Sequence, residues 1–428
     1  MRSLVLALLA FGLPSRLSSQ ELSQSDAVRS AVAANPRLEA ARASRESSTA
    51  QAQQARWDQL GRLDLGFQWN PSYKNKEISL PTAPPMTFQF GPFARNQFDA
   101  SFTQPIWTWG ALSGRAESAR LREDAEWHLE TREAQLVAFD ATRAFLEARQ
   151  AQEAIKVAEQ SLTQEQAFLL TAKARMAQGA SARLDVLKAE LSVSESESRL
   201  LAARNQDLLA REVLVTVTRD DRYRTAALRA FDEPQQDLLG ETEAISGARA
   251  RRPDLKNALA QAKALRVGAS AERASGLPSL NLRTAFTQAS DHTDGFTQAA
   301  SRTYSLGLAV QWEALSSKRA QLRHADLTAR AKAREAQAKS LEDQLTLEVR
   351  NARWKIENAR SQVEVAQRAL IQAEEQARVS RVAYQEGIRT AVELQGDEVA
   401  LSDARYRKLT AHLDLGLAWA SLHLALGE

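Results

Sequence analysis

The sequence predicts a mainly helical chain with a small β part, arranged as a duplicated unit of helix, strand, strand, very long helix and helix. Three observations carry this. Apolar and small residues recur every seven positions in two long stretches, the pattern of a sustained coiled-coil seam. Four short segments instead alternate apolar and polar residues, as half-buried strands do. The order of these patterns in the first half then returns in the second.

Composition narrows the class before any element is placed. Of 428 residues, 44% are hydrophobic and 25% charged, a globular balance rather than a disordered one. Aromatics reach only 6% and Ala supplies much of the apolar count, which favours helix over sheet. With 17 Gly and 11 Pro, a turn-rich all-β fold is a poor fit. Beyond the N-terminus no stretch approaches the ~20 apolar residues that a membrane helix needs, which excludes a helical transporter. The chain has no Cys, so disulfides, thiolate metal sites, Cys nucleophiles and a lipid-modified N-terminal Cys are all excluded. Residues 1–19 read as a signal peptide: Arg2, an apolar run over 4–13, then Pro14 and the small Ser18 and Ser19. The formal charge is +3, and removing that leader takes Arg2 and Arg16 with it. A chain so nearly neutral, without a basic stripe, gives no case for nucleic acid.

The repeat fixes the order of elements. Asn35, Pro36, Arg37 and Leu38 recur as Arg252, Pro253, Asp254 and Leu255, and Leu63, Asp64 and Leu65 recur as Leu280, Asn281 and Leu282. Farther on, after a shorter loop in the second half, Gln104 matches Gln311, Gly179 matches Gly387 and Asp185 matches Glu393. This divides the mature chain into repeats over 20–225 and 226–428. Pro36 and Pro253 each interrupt a helix pair, because Pro does not continue a helix. Residues 38–59 and 255–275 are then Ala-rich helices. The period switches to two at Leu63, Leu65, Phe67 and Trp69, and again at Phe98, Ala100 and Phe102, predicting strands over about 61–70 and 96–104. Their counterparts run over about 278–287 and 302–312, through Leu280 and Leu282 and then Tyr304, Leu306, Leu308 and Val310. Residues 71–95 and 287–301 read as polar loops.

The long helices carry the strongest pattern. Ala141, Ala148, Ile155, Leu162, Leu169 and Met176 recur by sevens, with Ala144, Ala151, Ala158 and Ala172 three later. In the second half Val349, Ile356, Val363, Leu370, Ala377 and Tyr384 do the same, with Ala352, Ala359, Ala366 and Ala373. Small Ala at alternate seam positions permits close helix approach. At 1.5 Å per residue, helix 113–177 spans about 98 Å and the return helix 180–218 about 58 Å. The difference is close to the length of a short helix over 37–59 stacked end to end with the return helix.

A soluble coiled coil does not need four amphipathic strands. A membrane β-strand does need about 9–11 residues with one apolar face. Trp69, Trp107 and Trp109 lie near the strand ends, where interface aromatics belong. Four strands are too few to close a membrane barrel, and open edges are not tolerated in lipid, so several copies must share one. Three copies give twelve strands and twelve helical columns.

This combination resembles the TolC-type outer-membrane efflux family, over nearly all of the mature chain. The resemblance rests on Asn35/Pro36 and Arg252/Pro253, on residues 278–282 and 104–106, and on the two turns. The turns contribute Gly179, Arg183, Leu184, Asp185 and Val186, then Tyr384, Gly387, Arg389, Thr390 and Val392. It implies a homotrimer of a Gram-negative envelope: a 12-stranded outer-membrane β-barrel continued by a 12-helix coiled-coil tunnel in the periplasm. The trimer would be a passive exit duct in contact with outer-membrane lipid. It would dock with a periplasmic adaptor protein and an inner-membrane pump, in tripartite efflux or type I secretion. The family closes its tunnel at the periplasmic tip, which here falls at the hairpin turns Gly179 and Gly387. By the resemblance Asp185, Tyr384 and Arg389 form a gating latch and Glu393 an entrance constriction. The family's second acidic ring position falls on Gly396, followed by Asp397 and Glu398.

No catalytic chemistry competes with this. His128, His292, His324, His412 and His423 show no ligand spacing, and there is no Gly-rich phosphate loop, Ser elbow or nucleotide motif. No cofactor is expected. Two other readings stay open: a periplasmic adaptor, which adds compact β domains to one α-hairpin, and a soluble coiled-coil scaffold. The exported substrate, whether drug, metal ion or protein, has no signature here.

Overall fold

The computed structural model describes residues 21–69, 76–90, 96–179, 181–230, 237–290 and 301–428. The signal peptide expected over 1–19 lies outside them. The elements run α1 (Gln24–Ala34), α2 (Pro36–Trp57), β1 (Arg62–Trp69), β2 (Lys76–Leu80), β3 (Met86–Phe90), β4 (Asn96–Trp107), α3 (Ala111–Ala177) and α4 (Arg183–Thr218). They continue with a short 3-10 turn (Asp221–Arg224), α5 (Glu241–Arg251), α6 (Pro253–Ser275), β5 (Ser279–Ser290), β6 (Ser301–Gln311), α7 (Ser316–Gln385) and α8 (Ala391–Leu426). Pro36 and Pro253 are the first residues of α2 and α6, where a missing N–H leaves no intrahelical bond unmade. No described helix is long and apolar enough to cross a membrane. The chain forms two compact units, each drawing elements from both halves of the sequence.

One unit comprises the described residues among 21–39, 132–252 and 344–428. It is helical, and its core follows the heptads: Ala141, Ala148, Val349, Ile356 and Ala377 are fully buried. Phe145 and Ala148 of α3 pack with Leu214 of α4 and Tyr223 of the 3-10 turn. Leu345, Val349 and Ile356 of α7 pack with Leu415, Trp419 and Leu422 of α8 in the same way. Arg252, at the α5–α6 junction, is buried and paired with Glu348.

The other unit comprises residues 40–131 and 253–343 and holds the strands. Four form one antiparallel sheet in the order β1-β4-β5-β6. The register settles its faces. Phe67 lies opposite Phe98, Ala100 opposite Phe286, and Phe286 opposite Tyr304. Leu282 lies opposite Leu308 and Leu280 opposite Val310, so the apolar residues of all four strands share one face. That face is open: Leu65, Tyr304, Leu306 and Val310 are each about two-thirds to three-quarters exposed. The other face carries Asp64, Gln97, Asp99, Ser101, Arg283, Thr287 and Ser305. Its groups bond to one another, Thr287 donating to Asp99 (2.8 Å) and Arg62 pairing with Asp64 (2.8 Å). Trp69 lies at one end of the sheet. Trp107, Trp109 and Trp312 lie at the other, Trp109 donating to the Pro278 carbonyl (2.7 Å) and Trp312 to that of Gly276 (3.2 Å).

The expected polar loop over 71–95 is corrected in part. Residues 76–90 contain the hairpin β2–β3, with Ile78 opposite Phe88 and Leu80 opposite Met86. These four share a face by the same parity that marks the other strands, while Pro81, Pro84 and Pro85 confine the break to the turn. The other loop is expected over 287–301, but β5 continues to Ser290, and residues 291–300 lie outside the described ones.

Candidate functional site

Both long helices end at a glycine in the left-handed region, Gly179 at φ +75° and Gly387 at φ +77°. The Gly387 turn is tied by Gly387 N–H to the Tyr384 carbonyl (3.1 Å) and Ile388 N–H to that of Ala383 (2.8 Å). A Cβ on Gly179 would meet nothing within 4 Å, so backbone conformation rather than space selects Gly there. Gly387→Ala is therefore expected to lose roughly 1–2 kcal/mol of stability, the cost of forcing an L-residue into that region. A melting temperature equal to the parent's would remove this account.

The helices that follow begin alike. Thr390 caps α8 by accepting from Glu393 N–H (3.3 Å), and the Glu393 carboxylate accepts from Thr390 N–H (2.8 Å) and Oγ1 (2.9 Å). Those bonds, the backbone one first, hold the Glu393 carboxyl below its ordinary value of 4.5. This contribution is present above 4.5 and is lost as pH falls through the lowered value. Asp185 occupies the equivalent place in α4, accepting from Ser181 Oγ (2.9 Å) and Ala182 N–H (3.3 Å). Sequence reading placed Asp185 opposite Arg389. Within the chain the structure does not bring them together: Asp185 turns back on its own helix start, and Arg389 bonds Asp397 and Ser380.

Asp397 is the hub of that cluster. Its carboxylate accepts from Arg389, from Ser380, which is fully buried, and from Gln376. Burial pushes the Asp397 carboxyl up, but the Ser380 and Gln376 bonds and the Arg389 charge outweigh it and hold it below 3.8. One residue on, Glu398 is buried and takes a two-pronged bond from Arg381. The two carboxylates that follow Gly396 are thus both bound to α7, and Glu386 and Glu393 are left as exposed acids of this turn.

Tyr384 is buried against Phe168 of α3, with ring centroids 5.3 Å apart. Its phenolic oxygen has no partner among the described residues. The Arg175 guanidinium lies 4.9 Å from the Tyr384 ring centre and donates to the carbonyls of Tyr384 and Gln385. At the other side, Gln395 of α8 bonds the buried Ser192 of α4. The sequence does not mark Arg175, Ser192 or Gln395, and it marks Asp397 only as an acid that follows Gly396. The one signal for Arg175 was its basic charge in the last turn of α3, where cations suit exposed carbonyls.

Two helix pairs joined near paired turns, together with an amphipathic four-stranded sheet, narrow the identity to few families. A profile of the outer membrane efflux protein family matches residues 27–218 and 244–428. The chain belongs to that family. Solved structures share its fold at low identity. The CmeC outer membrane channel of Campylobacter jejuni is 14% identical, over 94% of this chain and 85% of that one, with a TM-score of 0.81. The outer membrane protein VceC of Vibrio cholerae is 18% identical, over 94% and 96%, with a TM-score of 0.78. The open-state MtrE outer membrane channel of Neisseria gonorrhoeae is 17% identical, over 94% and 88%, with a TM-score of 0.76. No curated protein sequence matches significantly. Outer membrane efflux proteins are channels rather than enzymes, and membership sets aside the adaptor and scaffold readings.

Proposed function

We propose that this chain is the exit duct of a tripartite efflux pump or a type I secretion system, acting as a homotrimer in the outer membrane. The observation that carries this is the four-stranded sheet with one open apolar face, in which β1 and β6 are the edge strands among the described residues. In lipid such edges must be paired, and edge-to-edge closure of three copies gives a twelve-stranded barrel with Leu65, Leu306 and their neighbours toward acyl chains. The polar face then lines the lumen. Each repeat, 20–225 and 226–428, supplies two barrel strands and one helical hairpin of the periplasmic tunnel.

In this reading the turns at Gly179 and Gly387 form the periplasmic tip, where an adaptor and an inner-membrane pump engage. Arg389, Tyr384 and Asp185 remain the gating residues, with the in-chain Arg389–Asp397 bond as the contact that a neighbouring copy or partner must replace. Glu393 from three copies would ring the entrance and favour cations. The test is light scattering of the detergent-solubilised protein together with membrane fractionation. A trimer retained by the outer membrane through a carbonate wash is expected; a monomer released by that wash would overturn the reading.

A further inference from the structure

The α3 seam contains an exception. Ala144, Ala151, Ala158 and Ala172 recur by sevens, but the position between the last two is Glu165. The equivalent place in α7 is Ala373. Glu165 is only 5% exposed. No cation lies within ion-pair distance of it among the described residues. The described charges that act on it come from two other helices, α4 and α8. Phe168 of α3 packs with Leu394 of α8, and Gln164 reaches Arg405 of α8 at 3.5 Å, which sets Glu165 level with Glu398. Glu398 is itself buried and bound by Arg381 of α7, while α4 contributes Arg199 and Glu195, which pair with each other (3.5 Å).

A buried carboxylate near a second carboxylate is unfavourable when both are charged and favourable when one of the two holds a proton. Arg381 bonds both oxygens of Glu398, whereas Glu165 has no cation partner among the described residues. We propose that Glu165, set level with Glu398, is a proton-binding group that fastens α3 to α8 when protonated and loosens that seam when ionised.

The sign follows from linkage. Burial first, and then the Glu398 charge, raise the Glu165 carboxyl above its ordinary 4.5, whereas parting the helices would return it to water and to that value. The joined state therefore binds the proton more tightly. Its advantage is full below 4.5 and is lost as pH rises through the raised value. This device belongs to the chain's own helices and does not depend on the duct reading.

The chain's lack of Cys makes a direct test clean. Nitroxide labels at Gln166→Cys and Ala400→Cys, on exposed positions of α3 and α8, report the spacing of the two helices in purified full-length protein. Labelled chains are diluted into unlabelled ones, and distances are read from about pH 5 to about pH 8, above the ordinary glutamate range. The distance is expected to lengthen as pH rises, with a midpoint above 4.5. Glu165→Gln, an isosteric change, should stay short at every pH, and Glu398→Gln should move the midpoint down. A parent distance indifferent to pH, or a Glu165→Gln protein that titrates like the parent, overturns the proposal.

Discussion

Leu306→Arg is expected to abolish recovery of the proposed trimer from the outer membrane, while Ser305→Arg, one residue away, leaves recovery near that of the parent. The two positions share a strand and differ only in face. Leu306 is 77% exposed on the side with Leu65, Phe67 and Leu282, opposite Thr284 of β5. Ser305 lies opposite Ala285, on the side with Asp99 and Arg283. A cation on the lipid side of a membrane barrel costs about 2–4 kcal/mol near mid-depth, and a homotrimer meets that three times. A domain's whole stability is only about 5–15 kcal/mol, so the sum is enough to empty the inserted state. On the lumen side the guanidinium stays in water. Band shift on unheated gels, with membrane fractionation, reads both variants. Equal recovery of the two would mean that the apolar face does not meet lipid.

Periodicity carried much of the fold because it is a local property. Heptads named many of the residues that are buried in α3 and α7, though Met176 at the end of the α3 series is exposed, and two-residue alternation named the strands of the sheet to within a few residues. Alternation also marked Ile78, Leu80, Met86 and Phe88, but the surrounding Pro, Gly and polar residues drew attention to composition instead of parity. The candidate site was less legible. Gly179 and Gly387 announce themselves, since a helix that ends in the left-handed region selects Gly. The partners of Arg389 do not. Asp185, Glu393, Asp397 and Glu398 are all acids near a turn, and only the packed helices separate those that cap their own helix from those that reach α7. Glu165 lies between these cases: its interruption of an Ala series is visible in the sequence, whereas the carboxylate level with it comes from a helix more than two hundred residues away.

The division of acids at the turns makes the second large expectation. Asp397→Ala should raise the closed-state conductance of the protein in planar bilayers more than Asp185→Ala does. Removing the Asp397 carboxylate takes away the ionic partner of Arg389, leaving it only the Ser380 hydroxyl, and leaves that buried hydroxyl without its acceptor, which alone costs about 1–3 kcal/mol. In a trimer that loss occurs in three copies, all at the same end of the helices. Asp185→Ala loses a helix-start contact instead, worth typically about 1 kcal/mol, and the α4 N-terminus keeps its access to water. Arg389→Ala should resemble Asp397→Ala, and the double variant should add little to either, because the two share one bond. The opposite order of effects would be equally informative. A channel opened by Asp185→Ala but indifferent to Asp397→Ala would mean that Arg389 leaves Asp397 in the assembled trimer and bonds Asp185 of another copy. The in-chain bond would then belong to the separated chain rather than to the closed gate.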